Sequence, residues 1–553
     1  MRNYLLFFLI FILTFSCSEN SNQINYKENL TAYLLKNYSN LKVDTKIEHI
    51  TLTNANWTNE FYANTNHSPI WISDSLELNK NAYDFINLLC SSYNYGLDTS
   101  YYFGNSLKIL SKKLMAIPNK EDRYAVAADL EILLTNSYFL FAKDINYGIV
   151  PSDSTKLASE TPRKNFEINL PEYLFISSKK NNITTMLLKL QPQHQEYINL
   201  QKQLEKYLKT ASISKEKIKV EPFKLDSIKS YGQSKKALIL HNYLAEQSTD
   251  SSYFAALKLF QLKHGLSPDG LIGTNTANAL SKSPYDDYQK AIMSLEKWRW
   301  KNNWRANYIF VNIPSYQLKI YQNNNLKKTF KVVVGKPDNP TPEINDEMEY
   351  LIIYPFWNVP YSISSKELLP KIKKDSTYLT RNNYQVFTNK NKPINTSKID
   401  WAIISENNLK YSIRQNSGSD NSLGLIKFVF PNKHSIYIHD TPSKGFFMND
   451  IRAYSHGCIR VQQPFLLADL LLSNDNNKYN IDSLHVFVDS KTQKRIKLNK
   501  HIPIYIEYFT CGTDTNNNLV FYKDIYGLDK KLEDLMQLKH HSKPTNSPEL
   551  VNK

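Results

Sequence analysis

Tyr437-Ile438-His439-Asp440-Thr441-Pro442, followed by Tyr454-Ser455-His456-Gly457-Cys458-Ile459-Arg460-Val461, decides how this chain is read. The first stretch reads as a strand ending on a histidine. The second reads as a Ser-His-Gly-Cys-x-Arg turn, with sixteen residues between the two histidines. Chemistry gives the pairing a purpose. An ordinary cysteine has a pKa near ~8.5 and is only a few per cent thiolate at neutral pH. A nearby imidazole can take its proton, and a further partner orients the ring. Gly457 lets the backbone approach closely, so that its N–H and that of Cys458 can point at a developing oxyanion. His439, Asp440, His456 and Cys458 are also possible zinc ligands, which keeps a metallopeptidase open at this level.

Around this core the hydrophobic period is two. Tyr308 to Pro314, Tyr316 to Tyr321, Leu326 to Lys336, Ile426 to Phe430 and Ser435 to His439 all read as strands. They make a β-rich domain over 305–500, interrupted at about 358–423 by a less regular insertion long enough to cap a site. That insertion carries Lys366, Lys371, Lys373 and Lys374, which would attract carboxylates. Upstream the period is three to four, as in Ala82 to Leu89 and Ala125 to Ala142, and predicts a helical domain over 45–235. Within 236–283, Phe254 to Gln261 reads as a helix, His264 to Gly273 as a turn, and Thr274 to Leu280 as a helix that Thr274 caps. A connecting helix over 284–304 and a C-terminal extension over 501–553 complete a multidomain α+β chain.

The composition excludes disorder throughout: 41% of the 553 residues are hydrophobic, with 37 Tyr and 26 Phe. Only 14 are Gly, against a typical ~7%, so collagen-like and glycine-linker readings fall away. The net charge of +16 suits a polyanion, a membrane surface or a charged wall polymer, but AT-biased coding rich in Lys, Asn, Ile and Tyr produces it equally. Arg2, the apolar run Leu5 to Leu13 and Ser16-Cys17 read as a signal peptide over 1–17 of the lipoprotein type, with lipid on Cys17 and a polar tether over 18–44. No later segment reads as a membrane span. Cys90, Cys458 and Cys511 remain, an odd number in an exported chain. Cys90 reads as a buried helical residue and Cys511 as a strand residue.

The Ser-His-Gly-Cys turn resembles the YkuD-type L,D-transpeptidase catalytic domain. Asn66 to Trp71, Tyr95 to Asp98, Ile145 to Gly148, Glu296 to Trp300, Pro355 to Pro360, His439 to Pro442 and Asp524 to Gly527 resemble its large YcbB-like subfamily. The stretch 236–283 resembles a small three-helix peptidoglycan-binding module. The resemblance implies a helical scaffold, that module, and a β-rich catalytic domain with an inserted cap. It implies Cys458 as nucleophile, His439 as proton donor and acceptor, His456 in a secondary place, and Gly457 and Cys458 N–H groups as the oxyanion site. Ser455 belongs to the motif, and Arg460 supports the loop or a substrate carboxylate. Tyr437, Lys444, Arg452 and Trp357 are candidate substrate contacts. The reaction implied is 3→3 cross-linking of peptidoglycan stem peptides, with D-Ala released, no metal or organic cofactor, carbapenem-type inhibitors acylating Cys458, and no nucleic-acid partner. An L,D-carboxypeptidase of the same fold, or a non-catalytic wall-binding lipoprotein, is the alternative. The expected place is the periplasm of a Gram-negative envelope.

Overall fold

The computed structural model describes residues 25–150, 168–211, 213–301 and 304–541; Cys17 and the expected signal peptide lie outside them. The described residues fall into two units. One comes from segments up to 87, 103–139 and 169–183, the other from 88–102, 140–168 and 184 onward.

The first unit is helical, with Ala55–Asn64, Gly104–Ala116 and Leu170–Lys179 lying wholly inside it. Its centre is the fully buried Glu131, whose carboxylate accepts the N–H groups of Ile70 (2.6 Å), Trp71 (3.0 Å) and Ile72 (3.1 Å) and the Tyr62 hydroxyl (2.9 Å). Burial pushes its pKa up to about 7 despite these donors. Trp71 stacks on Phe85 at 5.3 Å, so the Asn66 to Trp71 motif is a structural plug. Part of the expected tether is in fact the helix Tyr26–Tyr38, capped by the Asn25 side chain, with Leu30 and Leu34 fully buried. The segment Glu121–Tyr147 is long and apolar enough to cross a membrane, contrary to the sequence reading. In this fold 89% of that stretch is buried against protein, as a core helix would be.

In the second unit the small module begins earlier than residue 236. The helix Ser227–Leu240 packs Ala237 and Leu238 against Leu257 and Phe260 of Asp250–Lys263 and Leu280 of Thr274–Leu280. Thr274 does not cap the last helix; Gly273 holds the cap position without a side-chain bond. Gln261 ties the intervening turn, donating to Asp269 (2.8 Å) and Leu271 O (2.9 Å) and accepting from Gly270 N–H (2.9 Å). The connecting helix Pro284–Arg299 opens with a capping box between Ser283 and Asp286. It docks Trp298 on Phe509, with ring centroids 4.5 Å apart. Lys297 bonds Glu343 at 2.5 Å, and the buried Lys301 ammonium bridges Glu343 and Glu507.

The β-rich region is built on one nine-stranded sheet. Its order is Ala453–Ser455, Asn325–Gly335, Ile459–Val461, Ile438–His439, Ile426–Val429, Ile344–Ile353, Lys494–Glu507, Tyr308–Asn312 and Gln317–Gln322. Asn325–Gly335 also pairs with Gln317–Gln322, which closes the sheet on itself. The expected boundary at 500 therefore falls inside a strand whose partners lie on both sides. The insertion is an ordered subdomain. Its four short strands, Trp357–Asn358, Ser412–Gln415, Tyr384–Phe387 and Pro393–Ile394, share a core of Leu368, Ile372, Val386 and Ile413.

Candidate active site

Three charged or titratable residues stand in one row across the sheet. Lys427 is the register partner of His439 on the antiparallel neighbour, and Arg460 is its partner on the parallel one. Two cations thus flank a histidine that is 4% exposed. Burial, then Arg460, and also Lys427, push the His439 pKa down to about 3. The imidazole is therefore neutral across the physiological range. Its Nδ1 donates to the carbonyl of Asp440, and the ring also bonds the backbone of Leu423.

Cys458 lies between Gly457 and the strand Ile459–Val461. Gly457 has φ +110°, and a Cβ there would come within 3.0 Å of Ile436, so a side chain is excluded on two counts. Ser455 braces the turn from within, donating to the Cys458 carbonyl (2.5 Å) and accepting the Gly457 N–H (3.2 Å). Of the two backbone donors expected to form an oxyanion site, the Gly457 N–H is thus engaged by Ser455. Behind the turn, Thr341 donates to Gly457 O (2.6 Å) and Tyr526 to Gly335 O (2.7 Å). Through Thr341, whose N–H bonds the Tyr526 hydroxyl at 3.1 Å, the Asp524 to Gly527 motif reaches the Cys458 turn.

Burial raises the Cys458 thiol above its usual range. The Tyr437 N–H and hydroxyl, with Lys427 and Arg460, oppose this by stabilising the thiolate. The Trp357 indole donates in turn to the Tyr437 oxygen, and Lys427 Nζ lies 3.7 Å from the Tyr437 ring centre. The thiol itself donates to Ser435 O at 3.9 Å. The resting site thus holds a raised thiol and, on the neighbouring strand, a neutral imidazole that shares the Lys427 and Arg460 charges with it. Cys458 alkylation by iodoacetamide should keep rising through alkaline pH, because the group that must lose a proton has a raised pKa. A plateau already reached at pH 7 would contradict this.

Other expected contacts resolve differently. Arg452 is not available to substrate: its guanidinium donates to Val332 O (3.2 Å), Asn449 O (2.7 Å) and Tyr316 O (3.2 Å). Lys444 pairs with Asp440, whose other oxygen takes the Leu425 N–H at 2.9 Å. Lys366 pairs with Glu406 at 3.4 Å and Lys373 donates to Ala402 O at 3.2 Å, so both serve the insertion itself. Arg460 keeps a buried Nε with no hydrogen-bond partner among the described residues. His456 bonds Glu367 of the insertion at 2.5 Å, a partner that sequence reading missed, as it missed Lys427. Among the described residues no group of three or more His, Cys, Asp or Glu side chains is placed to hold a metal. Cys511 is a buried thiol in the strand Cys511–Thr513, while Cys90 ends the helix Lys80–Cys90 half-buried, not fully buried as expected.

Comparison with known families covers the segment that holds this geometry. Residues 306–489 match the L,D-transpeptidase catalytic domain family called YkuD, a span that contains His439, Cys458 and Arg460. The chain carries a YkuD-type L,D-transpeptidase catalytic domain. Residues 56–204 match the Scaffold domain family. A Haemophilus influenzae protein named "Putative L,D-transpeptidase" is 34% identical over 244 residues, 44% of this chain and 49% of that protein. The aligned chain thus spans about half the length of that relative.

Proposed function

We propose that this chain is a peptidoglycan L,D-transpeptidase that forms 3→3 cross-links through a thioester on Cys458. The observation that carries the reading is the Lys427–His439–Arg460 row beside a thiol whose sulfur takes two donors from Tyr437. Cys458 attacks the carbonyl of the third residue of a tetrapeptide stem as its proton passes to His439. Charge developing on the carbonyl oxygen is met by the Cys458 N–H, and the flanking cations lower the cost of that anion in a partly dry site. The imidazolium then protonates the departing amine of D-Ala. An acceptor amine loses its proton to His439 as it attacks the thioester, and the thiol is restored.

Arg460 is the cation best placed to take a stem carboxylate, since its buried Nε needs an acceptor. No step calls for a metal or an organic cofactor, and a carbapenem would acylate the same sulfur. The N-terminal pattern extends the proposal to a periplasmic lipoprotein held by lipid on Cys17.

Mass spectrometry of tetrapeptide stems incubated with wild type and Cys458→Ala tests the reading. Wild type should yield cross-linked dimers and free D-Ala, and Cys458→Ala neither. Shortened stems without dimers would make the enzyme an L,D-carboxypeptidase; unchanged stems would leave a wall-binding protein. The intact mass of the mature protein reports the lipid in the same experiment.

A further inference from the structure

The insertion touches the nucleophile turn through a carboxylate. Tyr361–Ile363 and Leu369–Lys374 are helical, and between them Ser364–Leu368 widens into a π-helical turn. Such turns inside helices occur frequently at functional sites. Here the turn carries Glu367, whose Oε1 lies 2.5 Å from His456 Nε2. Both side chains are partly exposed, 33% for His456 and 41% for Glu367, so the contact is not core packing. His456 precedes Gly457, whose φ of +110° leaves the following peptide free of side-chain restraint. Ser455 holds the peptides on either side of that one, and Thr341 holds the Gly457 carbonyl itself, all from inside the fold. The contact from Glu367 to His456 adds a restraint on the exposed side of the same turn.

We infer that Glu367 is a positioning residue that acts through His456 to hold the Cys458 turn and to seat the insertion beside it. Glu367 touches no reacting atom. It accepts the Nε2 proton of His456 and anchors the residue two before the nucleophile to a subdomain with its own core. The insertion and the turn then move as one piece while the thioester waits for its acceptor. This rests on the transpeptidase reading above.

The test is a double-mutant cycle on the full chain with Glu367→Ala, His456→Ala and both together, plus Glu367→Gln. The first readout needs no substrate: hydrogen exchange of amides 361–374 and 455–458 in the resting protein. Each single alanine change should speed exchange there by about three- to ten-fold, as for loss of one charge-assisted hydrogen bond at a partly exposed site. The double variant should exchange no faster than either single one. Glu367→Gln, which still accepts a hydrogen bond, should recover most of the protection. The second readout is the ratio of cross-linked to hydrolysed product, which should fall in Glu367→Ala and recover in Glu367→Gln. Multiplicative effects of the two alanine changes, or unchanged exchange in Glu367→Ala, would overturn the inference. Failure of the transpeptidase reading would appear instead as product loss with the exchange pattern intact.

Discussion

His439→Ala should lose about 10² to 10⁴-fold in the acylation of Cys458 by a tetrapeptide stem, approaching the silence of Cys458→Ala. The size follows from the resting state. With the thiol raised by burial and the imidazole held neutral, sulfur cannot attack until its proton has a destination. Lys427 and Arg460 are cations and cannot serve. Removing the base from a nucleophile–base unit therefore costs nearly as much as removing the nucleophile. His456→Ala should stay within about ten-fold of wild type, because its part is mechanical. Intact-mass measurement of acyl-enzyme over time separates the outcomes. A greater loss in His456→Ala than in His439→Ala would reverse the assignment.

Lys301→Met should destabilise the catalytic unit by about 3–5 kcal/mol. The Lys301 ammonium is 6% exposed as a residue and lies between Glu343 and Glu507, on the segment leaving the helix Pro284–Arg299. Burial already pushes Glu507 up to about 7 with Lys301 in place. Without that ammonium its carboxylate must be charged in a site closed to water, or take up a proton at neutral pH. Either outcome costs free energy, and the sign follows from linkage. The folded state would bind a proton that the unfolded chain releases, so the variant's stability should fall further as pH rises above ~5. Urea unfolding of wild type and Lys301→Met at pH 5 and pH 8 checks both parts. Equal losses at both pH values would place the proton elsewhere, and a loss below about 1 kcal/mol would mean that water relieves the pair.

That the strand ending on His439 lies beside the one that follows Cys458 was legible because the candidate residues sit in two short contiguous stretches. Lys427 was not, since a lysine inside an apolar strand carries no signal until the register sets it beside His439. Glu367 lies 89 residues from His456 and reaches it from a π-turn that no hydrophobic period announces. The strand Lys494–Glu507 escaped because its register shifts between Lys497 and Ile502 and it carries Pro503, so alternation breaks in the middle. The helix Ser227–Leu240 was seen as helical but placed in the wrong domain, because periodicity reports a buried face without naming what covers it.

The closing of the nine-stranded sheet bears on how the chain can be divided. The matched catalytic span ends at residue 489, yet Lys494–Glu507 still has to enter between Ile344–Ile353 and Tyr308–Asn312. A fragment trimmed to that span would keep both neighbours and lose the strand between them. Two rows of backbone N–H and C=O groups would face water, each able to pair with the same row on another copy. Such a fragment should collect in inclusion bodies for lack of a strand, whatever the quality of its active site.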